Sequence, residues 1–149
     1  MKYYFVDVGL RNARLNFRQQ EENHIMENII FNELKIRGYD VDVGVVEHNT
    51  KDDQGKSQRN YLEVDFVANM GGKRFYIQSA LNIDDEEKRA LEINSLSRVN
   101  DSFRKIVVVR DNIEPWQDDN GIIYRSRAVS SGRRLFEVGQ KKKTKLQER

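Results

Sequence analysis

The chain contains no cysteine, a single proline and a single tryptophan among its 149 residues. Without cysteine there is no disulfide framework, no thiolate metal site and no thiol nucleophile, and a reducing compartment is compatible with the composition. No apolar run approaches the ~20 residues a membrane span needs, so no membrane partner is expected. The opening stretch MKYYFVDVGL is too short, and too polar at Asp7, for a secretory signal, and the cytoplasm is the expected location. The two histidines, His24 and His48, share no ligand-like spacing and read as surface residues.

Charge is what the chain has in quantity. Asp, Glu, Lys and Arg make up 34% of residues against 38% hydrophobic, the balance of one soluble domain with a modest core. Its net charge of +2 hides an asymmetry. Residues 125–149 hold nine Lys/Arg and two Asp/Glu, so residues 1–124 keep 17 basic against 22 acidic side chains, a net of −5. The expected organisation is a compact, mildly acidic domain over 1–124 followed by a flexible basic tail over 125–149. A nucleic-acid binder normally carries its basic footprint on the folded part, and here the footprint falls on the tail.

Hydrophobic spacing predicts the elements. Tyr3–Val6 reads as a short strand turning at Asp7 and Gly9. Residues 19–37 read as a helix with Ile25, Met26, Ile29, Ile30, Leu34 and Ile36 on one broad apolar face and Gly38 as its C-terminal stop. Val41, Val43 and Val45 alternate with polar residues as a half-buried strand, and 48–60 reads as a mobile polar loop. Tyr61–Asn69 and Arg74–Ala80 then form a hairpin about Gly71-Gly72, a pair that accepts positive φ at both turn positions. Paired residue numbers in that hairpin sum to 143, which sets Asp65 opposite Gln78 and Glu63 opposite Ala80 on one face. Asp84-Asp85-Glu86-Glu87 opens a second helix to about Arg98, its acids complementing the macrodipole. Ile106–Val109 is a strand buried on both faces, 111–120 an irregular connection, and Gly121–Tyr124 a last short strand. The order is helix, three strands, helix, strand: an α/β protein with a mixed sheet flanked by helices, its last crossover parallel and right-handed.

Glu27, Glu63, Asp65 and Gln78 are the constellation with most chemistry. A hard divalent cation wants several oxygen ligands, and two carboxylates two apart on a strand plus a helix acid supply part of such a set. On spacing alone, the plainer reading is that Glu63 and Asp65 are solvent-facing charges at alternate strand positions. Helix–strand–strand–strand–helix–strand, with Glu27 on the helix, Asp65 on the second strand and Gln78-Ser79-Ala80 on the third, resembles the PD-(D/E)XK nuclease superfamily and its restriction-endonuclease-like, three-layer core. More closely, the blocks Tyr3–Asn12, His24–Leu34, Gly38–Val41, Glu63–Ala68 and Tyr76–Gln78 resemble the C-terminal domain of a prokaryotic AAA-type ATPase family. That resemblance covers roughly residues 2–124. It implies a P-loop ATPase domain preceding a nuclease-like domain, and this chain carries only the second.

The resemblance makes Glu27 the helix acid and Asp65 the central aspartate, with Gln78 at the second acid's position and Ala80 at the catalytic lysine's. Asp65 and Glu63 are the residues that would touch Mg²⁺ or Mn²⁺. Glutamine adds no charge to a cation site, and alanine cannot stabilise an attacked phosphate as lysine does. The implied site is degenerate, and no cofactor is expected. Lys88, on the second helix, is the nearest lysine that could stand in. Gly55-Lys56-Ser57 looks like the end of a P-loop, but Thr50 occupies the place of its first glycine and no strand-to-helix context surrounds it. The expected function is a non-catalytic accessory domain that binds an ATPase domain or another protein partner. The alternatives are a metal-dependent DNA or RNA nuclease with a relocated lysine, and a nucleic-acid-binding module using the tail. Tyr3, Tyr4, Phe5, Phe31, Phe66, Phe75 and Tyr76 read mainly as core, with base stacking as the alternative.

Overall fold

The computed structural model describes residues 2–14, 21–51 and 54–127. Its elements are α1 (Val8–Arg14), α2 (Glu22–Ile36), β1 (Asp40–Lys51), β2 (Ser57–Met70), β3 (Lys73–Ala80), α3 (Glu86–Arg98), β4 (Arg104–Val109), β5 (Trp116–Gln117) and β6 (Ile123–Ser126). The strands form one sheet in the order β1-β2-β3-β4-β6-β5. β1, β2 and β3 are antiparallel neighbours, β3, β4 and β6 run parallel, and β5 lies antiparallel to β6. This is the expected α/β class, with α-β-β-β-α-β embedded in a longer order that adds α1 and β5 and ends in β6, which overlaps the last short strand expected at 121–124.

Each face of the sheet has its own core, which makes three layers. On one face Met26, Ile30 and Leu34, one turn apart on α2, pack with Phe66, Ala68, Phe75, Ile77, Ile106 and Val108. On the other, Leu96 of α3 and Ile83 pack with Val64, Ala80, Val107, Val109 and Tyr124. β4 contributes alternate residues to both cores, which is why Ile106–Val109 is an unbroken apolar run.

Local chemistry sets the helix ends. Gly38 takes φ 84°, its N–H donates to Lys35 O at 3.0 Å, and Tyr39 N–H donates to Leu34 O at 3.1 Å. That 6→1 and 5→2 pair satisfies the last carbonyls of α2. At α3, the Asp85 carboxylate accepts from Glu87 N–H at 2.9 Å and Lys88 N–H at 3.4 Å, so one of the four acids is the cap and Glu86 and Glu87 line the first turn.

Three expectations are corrected. Tyr3–Val6 is not a strand, because its polar backbone groups bond to side chains of α2 rather than to a neighbouring strand. Phe5 N–H donates to Asn28 Oδ1 at 2.8 Å, Asn28 Nδ2 returns a bond to Phe5 O at 2.6 Å, and Asn32 Nδ2 reaches Phe5 O and Val6 O at 2.8 and 3.0 Å. The polar stretch 48–60 is largely β-ribbon: β1 and β2 stay paired out to Lys51↔Ser57. Cross-strand polar contacts hold it, including Arg59 Nε on Glu47 at 2.8 Å and Asn60 Nδ2 on Thr50 Oγ1 at 2.5 Å. Finally, β6 continues through Arg125 and Ser126, so the boundary expected at 124 cuts a strand. The rest of the expected basic tail, from 128 on, lies outside the described residues, as do Gln19 and Gln20 at the expected start of α2.

Candidate functional site

The β2–β3 turn is two residues long, and every paired position sums to 143, from Met70↔Lys73 to Phe66↔Ile77. Only Gly71 uses a positive φ, at 58°, which suits a II′ turn rather than the I′ turn that two glycines suggest. Regular pairing ends just where the candidate residues begin. Between Asp42↔Val67 and Gly44↔Val64, β2 carries one residue more than β1. This bulge falls at Asp65–Phe66 and reverses the alternation of side chains before it.

The reversal sorts the expected four onto two sides. Val64 joins Ala80 in the core beneath α3, whereas Phe66 joins the core beneath α2. Glu63 and Asp65 accordingly turn toward α2, where Glu27 stands, and Ala80 is a 3% exposed core residue. The expectation that Glu63, Asp65, Gln78 and Ala80 share one face is therefore overturned, because the inserted residue shifts the period-2 pattern by one. Gln78 stays within reach through its amide oxygen, which accepts from Asp65 N–H at 3.3 Å and from Ser95 Oγ of α3 at 3.4 Å.

Glu27, Glu63 and Asp65 converge on one point, and Lys2 occupies it. The Lys2 ammonium lies 2.5 Å from Glu63 Oε1, 3.1 Å from Glu27 Oε2 and 3.4 Å from Asp65 Oδ1. Asp65 is 6% exposed, and its second oxygen accepts from Ser79 N–H at 2.9 Å and Ser79 Oγ at 2.7 Å. It thereby satisfies backbone where β2 and β3 part. Burial is the largest single influence on Lys2 and disfavours its charge, but the hydrogen bond it donates to Glu63, the charge of Asp65 and the contacts with Glu27 together outweigh it. The ammonium is held well above its ordinary value and stays protonated.

The surroundings extend the cluster. The Tyr4 hydroxyl is buried with no hydrogen-bond partner, and burial first, then the three carboxylates against the opposing pull of Lys2, push its pKa up. Its ring stacks on Phe31 at 4.3 Å, which fixes Lys2 two residues earlier. Glu92 of α3 is raised by burial and then by the charge of Asp65. Sequence reasoning missed Lys2, Tyr4, Glu92 and Ser95 as neighbours of the site. It named Lys88 as the nearest spare lysine, but Lys88 is exposed in the first turn of α3 and has no contact with these carboxylates. Nothing in spacing marks Lys2, since its position depends on the asparagines of α2 that strap the N-terminal segment down.

Three carboxylates would suit a hard divalent cation by charge and donor type. As placed, they do not fit one. Their meeting point is filled by an ammonium, Asp65 Oδ2 is committed to Ser79, and the Gln78 oxygen faces N–H and O–H donors. Among the described residues, no group of three His, Cys, Asp or Glu side chains is arranged to hold a metal ion.

Fold and site together define an α/β protein with a six-stranded mixed sheet whose carboxylate cluster is closed by the chain's own lysine. The chain is 30% identical over 118 residues, 79% of its length, to an uncharacterized protein of Haemophilus influenzae. It spans 26% of that protein's length. No family model and no solved structure matches it. No helix among the described residues is long and apolar enough to cross a membrane.

Proposed function

We propose that this chain is a nuclease-like accessory domain without catalysis, of the kind that accompanies an AAA-type ATPase, and that it serves by binding that ATPase domain or another protein. One observation carries the reading: the Lys2 ammonium already pairs with Glu27, Glu63 and Asp65, at the point a metal ion would need. Position 78 supplies a neutral amide, and position 80 a methyl group turned into the core. The match to about a quarter of a longer relative supports the accessory role, since most of the relative's chain lies beyond the shared part.

A second reading draws on the same lysine. An ammonium against the carboxylates is also what a relocated phosphate-stabilising lysine would provide, and it favours a metal-dependent nuclease in which Lys2 withdraws to admit Mg²⁺ or Mn²⁺. Incubation with single- and double-stranded DNA and with RNA, in each metal, separates the two. The accessory reading expects no cleavage. Reproducible cleavage that disappears in Asp65→Ala establishes the nuclease and overturns the accessory domain.

A further inference from the structure

β1 lies at the edge of the sheet, paired only with β2. It is 12 residues long, has no proline and carries a single lysine, at its last position. Natural edge strands are usually kept short or guarded by lysine, proline or a bulge, because a bare row of N–H and C=O groups recruits another strand. The bulge beside Asp65 gives no such guard, since its extra residue lies on β2. From Gly44 to Lys51, β1 runs one-for-one against Val64 to Ser57.

Two features along β1 are unmatched within one molecule. Val43 and Val45 are 41% and 67% exposed, and they lie on the face opposite to Val46, which packs with the α3 core. On the Val46 face, His48 Nδ1 is buried with no hydrogen-bond partner, an uncommon state for a polar atom. Asp42, on that same face, is exposed and makes neither an ion pair nor a hydrogen bond among the described residues. The two stand six residues apart on one strand, about 20 Å, and cannot meet within one chain. Antiparallel pairing of β1 with β1 of a second copy brings them together.

A two-fold axis normal to the sheet keeps every side chain on its own face, so β1 must meet its copy about one residue opposed to itself. Centring on Glu47 opposes two carboxylates, and centring on Val46 sets Gly44 against His48. Centring on Gly44 sets Asp42 against Val46. Centring on Val45 opposes Asp42 to His48 at both ends, Gly44 to Val46 and Val43 to Glu47, with no like charges in register. It also joins the two most exposed valines into one apolar contact at the axis. Val45 pairs with Glu63 of β2, so Glu63 of the two copies stand three strand spacings apart, ~14 Å, where salt screens most of their repulsion. We propose that the chain forms a two-fold symmetric dimer through antiparallel β1–β1 pairing centred on Val45, with Asp42 of each copy accepting a hydrogen bond from His48 Nδ1 of the other. Both carboxylate clusters then lie on the same face of one joined sheet. The dimer does not depend on the accessory or the nuclease reading.

Sedimentation equilibrium of the full chain, from micromolar to millimolar concentration, should show a concentration-dependent species of twice the 17.6 kDa chain mass. Val45→Lys opposes two ammonium groups at the axis and should weaken association at least tenfold, and Asp42→Ala, which removes two symmetric hydrogen bonds, about tenfold. Cysteine tests the register, because the chain has none of its own. In Val45→Cys the thiols stand opposite each other, with Cβ atoms ~4.5–5.5 Å apart, and mild oxidation should link the copies by a disulfide. In Val43→Cys they stand four residues out of step, about 13 Å along the strand, and should stay unlinked. Circular dichroism verifies the folding of each variant. A chain that stays monomeric at millimolar concentration overturns the dimer, as does undiminished association in folded Val45→Lys or Asp42→Ala, or crosslinking of Val43→Cys as fast as Val45→Cys.

Discussion

Replacing Lys2 with methionine removes one positive charge from among three negative ones and nearly preserves the side chain's length. The magnitude follows from exposure. Glu63's side chain is half exposed, at 50%, so its pair with Lys2 contributes about 0.5 kcal/mol. Glu27 and Asp65 are 12% and 9% exposed, and each pair there contributes about 1 kcal/mol after desolvation is set against attraction. Removing the ammonium also leaves three carboxylates facing one another, at a further cost of about 1 kcal/mol in a partly aqueous setting. Lys2→Met should therefore lose roughly 3 to 4 kcal/mol at pH 7, measured by urea unfolding with m unchanged. Asp65→Asn in the same chain should recover part of it, giving a coupling of about 1 kcal/mol between the two sites. A loss below about 0.5 kcal/mol at pH 7 would refute the view that Lys2 holds this cluster together.

Two further outcomes test the surroundings. Asn28 is 1% exposed and exchanges two hydrogen bonds with Phe5, so Asn28→Ala should cost about 2 to 3 kcal/mol in urea unfolding and expose Tyr4 to fluorescence quenchers. An unchanged midpoint would mean that the strap is not anchored there. Tyr124 is fully buried, its hydroxyl donates to Asp118 at 3.2 Å, and burial with the Asp118 charge pushes its pKa up to about 12. A raised native value binds its proton more tightly than the unfolded chain does, so its contribution is intact below about pH 10 and is lost as pH rises toward 12. Absorbance titration at alkaline pH should show late-titrating tyrosines, Tyr4 and Tyr124 among them, with one fewer in Tyr124→Phe, and an unchanged late amplitude in that variant would contradict the buried contact.

Elements that announce themselves locally were legible in the sequence. The apolar face of α2, its Gly38 stop, the acidic start of α3 and the run at 106–109 each follow from periodicity or capping, and all form where expected. The register sum of 143 was legible too, because a two-residue turn leaves the strands no freedom. What could not be read was anything set by tertiary contact. The bulge at Asp65–Phe66 depends on how β1 and β3 compete for β2, and no residue between 63 and 67 signals it. The ribbon over 48–60 is polar on both faces and resembles a loop until its cross-strand partners are known. Tyr3–Val6 has the composition of a strand but is claimed by two asparagines of α2. Lys2 reaches the carboxylates only as a result of that capture.

The N-terminal strap also bears on the order in which the molecule assembles. Lys2 and Asp65 are 63 positions apart, so their contact closes one of the longest loops in the fold. Closing so long a loop costs entropy before any return, whereas the β2–β3 hairpin and α2 are local and can form first. Docking of Lys2 then belongs to the end of folding, when the sheet already holds Glu63 and Asp65 together. Contacts made that late act on the lifetime of the native state more than on the speed of reaching it. The lysine that closes the cluster is in this sense a latch against unfolding.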